Sequence, residues 1–116
     1  MSSIEVKSFS NADEINTDFN NARIDAVNVG GQRVIQLTLQ PGWKWSNDIK
    51  PVVGTDSCQA THLGVIVAGT VKAIHDDGTE ATYTAGDAYS IQPGHDGMVV
   101  GNDPAIVYEF AGAWGE

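Results

Sequence analysis

Apolar and polar residues alternate along most of this chain. In Arg33–Leu39, the apolar Ile35, Leu37 and Leu39 alternate with Gln36 and Thr38, the period-two pattern of a strand with one buried face. Comparable runs recur at short intervals. The pattern predicts strands over Ala22–Val29, Gln32–Gln40, Trp43–Ser46, Thr61–Ala68, Thr70–His75, Glu80–Thr84, Ala88–Gln92, Gly97–Val100 and Ala105–Phe110. Turn residues separate them: Gly30-Gly31, Pro41-Gly42, Asp76-Asp77-Gly78, Ala85-Gly86-Asp87, Pro93-Gly94 and Asp103-Pro104 each tolerate positive φ or fix a bend. Asp77-Gly78 is the strongest hairpin signal. Short strands at this spacing, without a convincing amphipathic helix, predict an all-β sandwich or small barrel. Only the first residues depart from the pattern. Ser8–Asn20 is polar, anchored by Phe9, Ala12, Ile15 and Phe19, and reads as an arm with a short helical turn from Ala12. This divides the chain into an N-terminal arm, 1–20, and a single domain, 21–116.

Composition agrees and narrows the partners. The 116 residues, 41% of them hydrophobic, suffice for one domain with a core and are too few for two. Thirteen glycines and four prolines suit many short strands. Fifteen acidic residues against six basic ones leave a net charge of −9, which repels phosphates, so neither nucleic acid nor a membrane is an expected partner. No stretch approaches the roughly 18 apolar residues of a membrane span. Met1–Ser10 holds Glu5 and Lys7 and no apolar core of signal-peptide length, so the expected location is the cytoplasm. The single cysteine, Cys58, has no partner for an internal disulfide and is available for packing, redox chemistry or a metal.

Two segments carry candidate chemistry. In Thr55–Gly69, Cys58 and His62 are four residues apart, and an extended Asp56–Ile66 puts Asp56, Cys58, Ala60 and His62 on one face. Three donor side chains with small residues around them resemble half of a metal site; the alternative is a buried free cysteine beside a hydrogen-bonded histidine. The second segment, Ala85–Asn102, supplies His95 just after the Pro93-Gly94 turn, and two antiparallel strands bring His95 opposite His62. Cys58, His62 and His95 then form a mixed sulfur and nitrogen ligand set, with Asp56 or Asp96 as a further oxygen ligand. Thiolate and imidazole select a divalent transition ion, zinc or iron ahead of nickel, copper and manganese, over magnesium or calcium. His75, beside the Asp76-Asp77-Gly78 turn, reads as a solvated hairpin residue. Asp76, Asp77 and Glu80 read as a hydrated loop, since the alternating oxygen donors of a calcium loop do not follow.

In spacing, the two segments resemble the two motifs of the cupin family, small β-barrels that hold a divalent metal inside the barrel. The family's first motif has two histidines one residue apart, then a glutamate, then a glycine closing the strand. Counting back from Gly69, the glutamate position falls on His62 and the two histidine positions on Cys58 and Asp56; the glycine that opens the motif falls on Lys50. In the second motif, Gly86 and Gly94 keep the family count, Gln92 takes the proline position with Pro93 beside it, and the histidine position falls on Gly97, two residues after His95. A shift of two keeps a strand residue on the same face, so His95 is the candidate ligand, with Asp96 the alternative if the register differs.

The resemblance covers 41–112. More narrowly, the segments are similar to a subgroup of small single-domain cupins with a Cys-x-x-x-His first motif and a Pro-Gly-His-Asp second motif. The resemblance implies a double-stranded β-helix, or jelly-roll barrel, that binds a metal; because no arginine lies near either motif, the expected function is action on a small neutral or weakly anionic oxygenated metabolite at that metal. A binding or sensing module without chemistry is the alternative. Whether the chain is an enzyme stays open, because dioxygenases, isomerases and lyases share this fold. Trp43, Trp45 and Tyr89 are candidates to line the pocket, with core packing as the other role for the two tryptophans. Pairing through an outer sheet predicts a homodimer.

Overall fold

The computed structural model describes residues 3–111; the last five residues of the expected barrel domain and the first two of the arm lie outside the described part. Among the described residues nine strands form in chain order: β1 (Glu14–Asn16), β2 (Ala22–Val29), β3 (Gln32–Leu39), β4 (His62–Ala68), β5 (Thr70–His75), β6 (Glu80–Thr84), β7 (Ala88–Ile91), β8 (His95–Val99) and β9 (Ala105–Ala111). They make two antiparallel sheets. One has the order β1-β2-β3-β9-β4-β7 and the other β6-β5-β8. The inward positions of both sheets, among them Ile24, Ile35, Leu37, Leu39, Ile66, Val71, Val99 and Val107, form one buried core. The alternation along each strand puts these residues on one face, and removing each large aliphatic side chain from water contributes about 1.5–3 kcal/mol.

Most of the predicted strands form within a residue or two of their expected bounds. Trp43–Ser46 does not. Trp45–Asp48 (α1) and Lys50–Val53 (α2) are single helical turns instead. Trp43 and Trp45 mimic strand alternation, but Ser46, Asn47 and Asp48 follow, residues whose side chains compete for backbone donors and favour turns. Here the Asp48 carboxylate accepts a hydrogen bond from the Lys44 N–H at 3.0 Å. Gly54, at φ 80°, ends α2 in the left-handed conformation that glycine adopts without strain. The arm also differs from expectation. Its helical turn is at Phe9–Asn11, capped by Ser8, and the residues after Ala12 extend into β1, which pairs with β2. β8 starts at His95, ahead of Gly97, because its pairing with β5 reaches His75.

Gly64 fixes how closely β9 approaches β4. A Cβ there would collide with the Tyr108 carbonyl oxygen and come within 3.0 Å of the Glu109 Cγ and of the Tyr89 hydroxyl. Gly64→Ala is expected to destabilise the protein by about 1–3 kcal/mol through overpacking, measured as a lowered denaturant midpoint. An unchanged midpoint would show that β9 moves aside freely.

Candidate metal centre

Four polar side chains meet on the inner surface of the barrel: Cys58, His62, His95 and Glu109, each 5% exposed or less. They reach it from different elements. His62 opens β4, His95 opens β8, and Glu109 lies on β9. Cys58 precedes β4 in a loop tied to β8 by a bridge: its N–H donates to the His95 carbonyl at 2.7 Å, and its own carbonyl accepts from the Gly94 N–H at 2.7 Å. The Pro93-Gly94 turn, with Gly94 at φ 101°, therefore seats the cysteine and the histidine against each other.

The ligand atoms of Cys58, His62 and His95 all lie within 4.8 Å of one another. The Cys58 Sγ to His62 Nε2 separation is 3.6 Å. A tetrahedral zinc ion with Zn–S near 2.3 Å and Zn–N near 2.05 Å requires a sulfur–nitrogen separation of about 3.6 Å. Each ring has its other nitrogen engaged. His62 Nδ1 pairs with Glu109 Oε1 at 2.9 Å, and His95 Nδ1 pairs with the Gln92 carbonyl at 2.8 Å. Both pairings leave Nε2 for the centre, the outer-shell arrangement that fixes metal-ligating imidazoles. The Tyr89 hydroxyl donates to the second Glu109 oxygen at 2.7 Å, which completes a chain from Tyr89 through Glu109 and His62 to Cys58.

The electrostatics follow from that chain. Burial alone would push the Cys58 thiol up, but hydrogen bonds from His62 and His95 outweigh it and bring it from an ordinary 9.0 down to about 6. Burial would likewise lower His62, yet its bonds to Cys58 and Glu109 raise it from 6.5 to about 9. Burial and the Glu109 carboxylate both push Tyr89 up, so the phenol keeps its proton and serves as a donor.

The other expected residues are placed as follows. Asp56 is exposed and outside the cluster, because the chain bends through 56–57 and becomes a strand only at His62. Asp96 points away from His95 along β8 and accepts hydrogen bonds from the Ser46 and Gly97 N–H groups at 3.1 and 2.8 Å. It holds α1 to the barrel. His95 lies opposite Cys58 and His75, while Ile91 lies opposite His62; the two histidine rings meet edge-on with centroids 5.0 Å apart. Gly97 is buried on the same face of β8 as His95, and the Trp43 ring lies 3.6 Å from where its Cβ would be. An indole thus fills the position that a second-motif histidine would take. Trp43, Trp45 and Tyr89 line a cavity of about 40 Å³ together with His62, His95 and Glu109. His75 is paired at both ring nitrogens, with the Pro93 carbonyl and the Asp77 N–H.

Sequence reasoning missed Glu109. Its signal was parity: Ala105, Val107 and Glu109 share a face of β9, and the first two are fully buried.

The shifts of Cys58 and His62 set a pH window for the metal-free protein. Cys58, lowered in the fold, contributes stability at high pH that is lost as pH falls through about 6; His62, raised, contributes stability at low pH that is lost as pH rises through about 9. The metal-free protein is expected to show its highest denaturant midpoint between these values. Cys58→Ser is expected to flatten the profile, and a wild-type profile already flat would remove the thiolate–imidazolium pair.

No protein-family profile and no curated protein matches the chain. Solved structures do. A protein of unknown function from Rhizobium leguminosarum superposes with a TM-score of 0.66 at 12% identity, over 95% of this chain and 97% of its own. An RmlC-like cupin from Shewanella frigidimarina gives 0.57 at 17% identity, over 86% and 84% of the two chains. KdgF from a Halomonas species gives 0.58 at 14% identity, over 84% and 86%. With its two facing antiparallel sheets, the chain has the all-β cupin fold.

Proposed function

We propose that this chain is a metal-binding cupin that holds one divalent transition ion on Cys58, His62 and His95 and acts on a small oxygenated molecule inside the barrel. The observation that carries this reading is the buried donor set. One thiol and two imidazoles converge with zinc-like spacing, each imidazole pinned through its far nitrogen, inside an otherwise apolar core. Three protein ligands leave a position open, as catalytic sites do and closed structural sites do not.

A bound ion would supply Lewis acidity, polarising an oxygen atom of the ligand beside it. The protein does the rest. Cys58 brings a negative charge that neutralises half of the ion's charge. Glu109 holds His62 in the tautomer that presents Nε2. Tyr89, fixed on Glu109, orients that carboxylate and keeps a phenolic proton at the cavity wall. Leu37, Leu39, Val71 and Val107 exclude bulk water from the same cavity. Among the described residues no helix is long and apolar enough to cross a membrane. Leu63, Val67 and Phe110 leave an exposed apolar strip on the outer face of β4 and β9, which supports pairing of two copies there.

Elemental analysis of the protein, purified without an affinity tag or chelator, is expected to find about one equivalent of a transition metal, lost in Cys58→Ala and His62→Ala and kept in Asp56→Ala. A folded wild type that refuses added zinc and iron would put the ligand-binding module ahead. Glu109→Gln keeps the shape of the side chain and is expected to weaken zinc binding roughly 10–100-fold in competition with a chelator, with a smaller loss for Tyr89→Phe. Unchanged affinity in both would reduce the Tyr89–Glu109–His62 chain to packing.

A further inference from the structure

Two of the three proposed ligands are held by strand ladders, His62 at the start of β4 and His95 at the start of β8. Cys58 is not. It lies in 55–61, between α2 and β4, where the backbone is neither helix nor strand and the bridge to His95 holds it from one side. A ligand on such a segment has many conformations to lose before it can meet an ion. The residue before it limits them. Ser57 is 7% exposed, and its hydroxyl donates to Asp76 Oδ2 at 2.8 Å. The same hydroxyl oxygen accepts from the Gln59 side-chain amide at 3.0 Å, and the Ser57 carbonyl accepts from the Thr55 hydroxyl at 2.8 Å.

Asp76 is a firm anchor because it is tied to the element that carries the next ligand. It lies in the turn between β5 and β6, and its N–H donates to the Gly94 carbonyl at 2.8 Å. The Gly94 N–H in turn donates to the Cys58 carbonyl at 2.7 Å. His75, beside Asp76, bonds the Pro93 carbonyl through Nε2 at 2.9 Å. A closed ring therefore runs from the Asp76 carboxylate through Ser57, Cys58 and Gly94 back to the Asp76 N–H. Three segments meet in it: 57–58, the β5–β6 turn and the Pro93-Gly94 turn that leads into His95. Neither Ser57 nor Asp76 offers an atom to the proposed ion, whose donor set is Cys58, His62 and His95.

We propose that Ser57 and Asp76 are positioning residues of the metal centre: their hydrogen bond holds 57–58 so that the Cys58 sulfur stands at ligand distance from His62 before an ion arrives. This rests on the metal reading and adds the part of the chain that pre-forms its sulfur ligand. Without the bond, 55–61 gains conformations that the ion must gather again on binding, so the loss falls on metal affinity.

The test titrates the metal-free full chain with zinc against a chromophoric chelator, and with cobalt(II) while the near-ultraviolet thiolate-to-cobalt band is followed. Ser57→Ala and Asp76→Ala are each expected to bind zinc roughly tenfold more weakly, the loss of one hydrogen bond to a charged group. The double variant is expected to be no weaker than either single one, because both changes remove the same bond. Asp76→Asn keeps an oxygen acceptor and is expected to stay within about twofold of wild type. The thiolate band at saturating cobalt is expected in every variant, since Cys58 is kept. Unchanged zinc affinity in both alanine variants, with only the denaturant midpoint lowered, would assign the bond to the fold alone and overturn the proposal. Equal losses in Asp76→Asn and Asp76→Ala would make the charge of Asp76 the cause, and independent losses that multiply in the double variant would uncouple the two residues; either result overturns it. A folded wild type that takes up neither metal would overturn the metal reading and the proposal with it.

Discussion

The structure depends on keeping a carboxylate and a thiol inside an apolar barrel. Glu109 is 2% exposed and Cys58 3%. An unpaired ion at that depth carries a penalty of several kcal/mol, and removing one member of a buried pair costs about 3–5 kcal/mol because the other is left uncompensated. The chain Tyr89–Glu109–His62–Cys58 avoids this by giving every charge a partner within hydrogen-bond reach. That chain needs β4, β7 and β9 side by side. It also needs Gly64, since any side chain there would push Tyr89 and Glu109 away from β4.

The same chain accommodates either a proton or an ion. With no metal, hydrogen bonds to Cys58 and Glu109 favour the protonated imidazole of His62, and hydrogen bonds from His62 and His95 favour the thiolate of Cys58. A divalent ion would take over the positive charge, release the His62 proton and use the freed Nε2. The protein environment requires little rearrangement for this exchange, because the 3.6 Å sulfur–nitrogen separation serves both a thiolate–imidazolium hydrogen bond and two ligands on one tetrahedral ion. The thiolate also narrows the choice of ion, since soft sulfur favours zinc, iron or copper over magnesium or calcium.

Strand alternation made most of the architecture legible, because the period-two pattern of Ile35, Leu37 and Leu39 reflects the burial that drives the sheet. It misled at Trp43–Ser46. There the two indoles alternate but reach the core from a turn, and the polar run Ser46-Asn47-Asp48 was the contrary signal. The structure brings Cys58 and His62 together even though 58–61 is not a strand, because the bridge from Cys58 to His95 extends the backbone locally. Parity did not carry to Asp56, which lies beyond that bridge in a bend. Glu109 was legible in principle, on the buried face of β9. A charged residue in a strand is ordinarily assigned to solvent, and the positions of His62 on the neighbouring strand β4 and of Tyr89 on β7 explain why this one is not.

The filling of the interior is where this chain's own side chains enter. Structural neighbours at 12–17% identity share the sheets and hardly any side chains, so the backbone leaves the chemistry undetermined. Here four aromatic rings, those of Trp43, Trp45, Tyr83 and Tyr89, line the inner cavity. Trp43 occupies the space beside Gly97, and Tyr83 stacks on Tyr89 with ring centroids 4.5 Å apart. Placing the histidine at 95 and a glycine at 97 makes room for an indole within the same barrel. The consequence is a closely filled interior in which the polar side chains of the cluster are held in place by the rings packed around them.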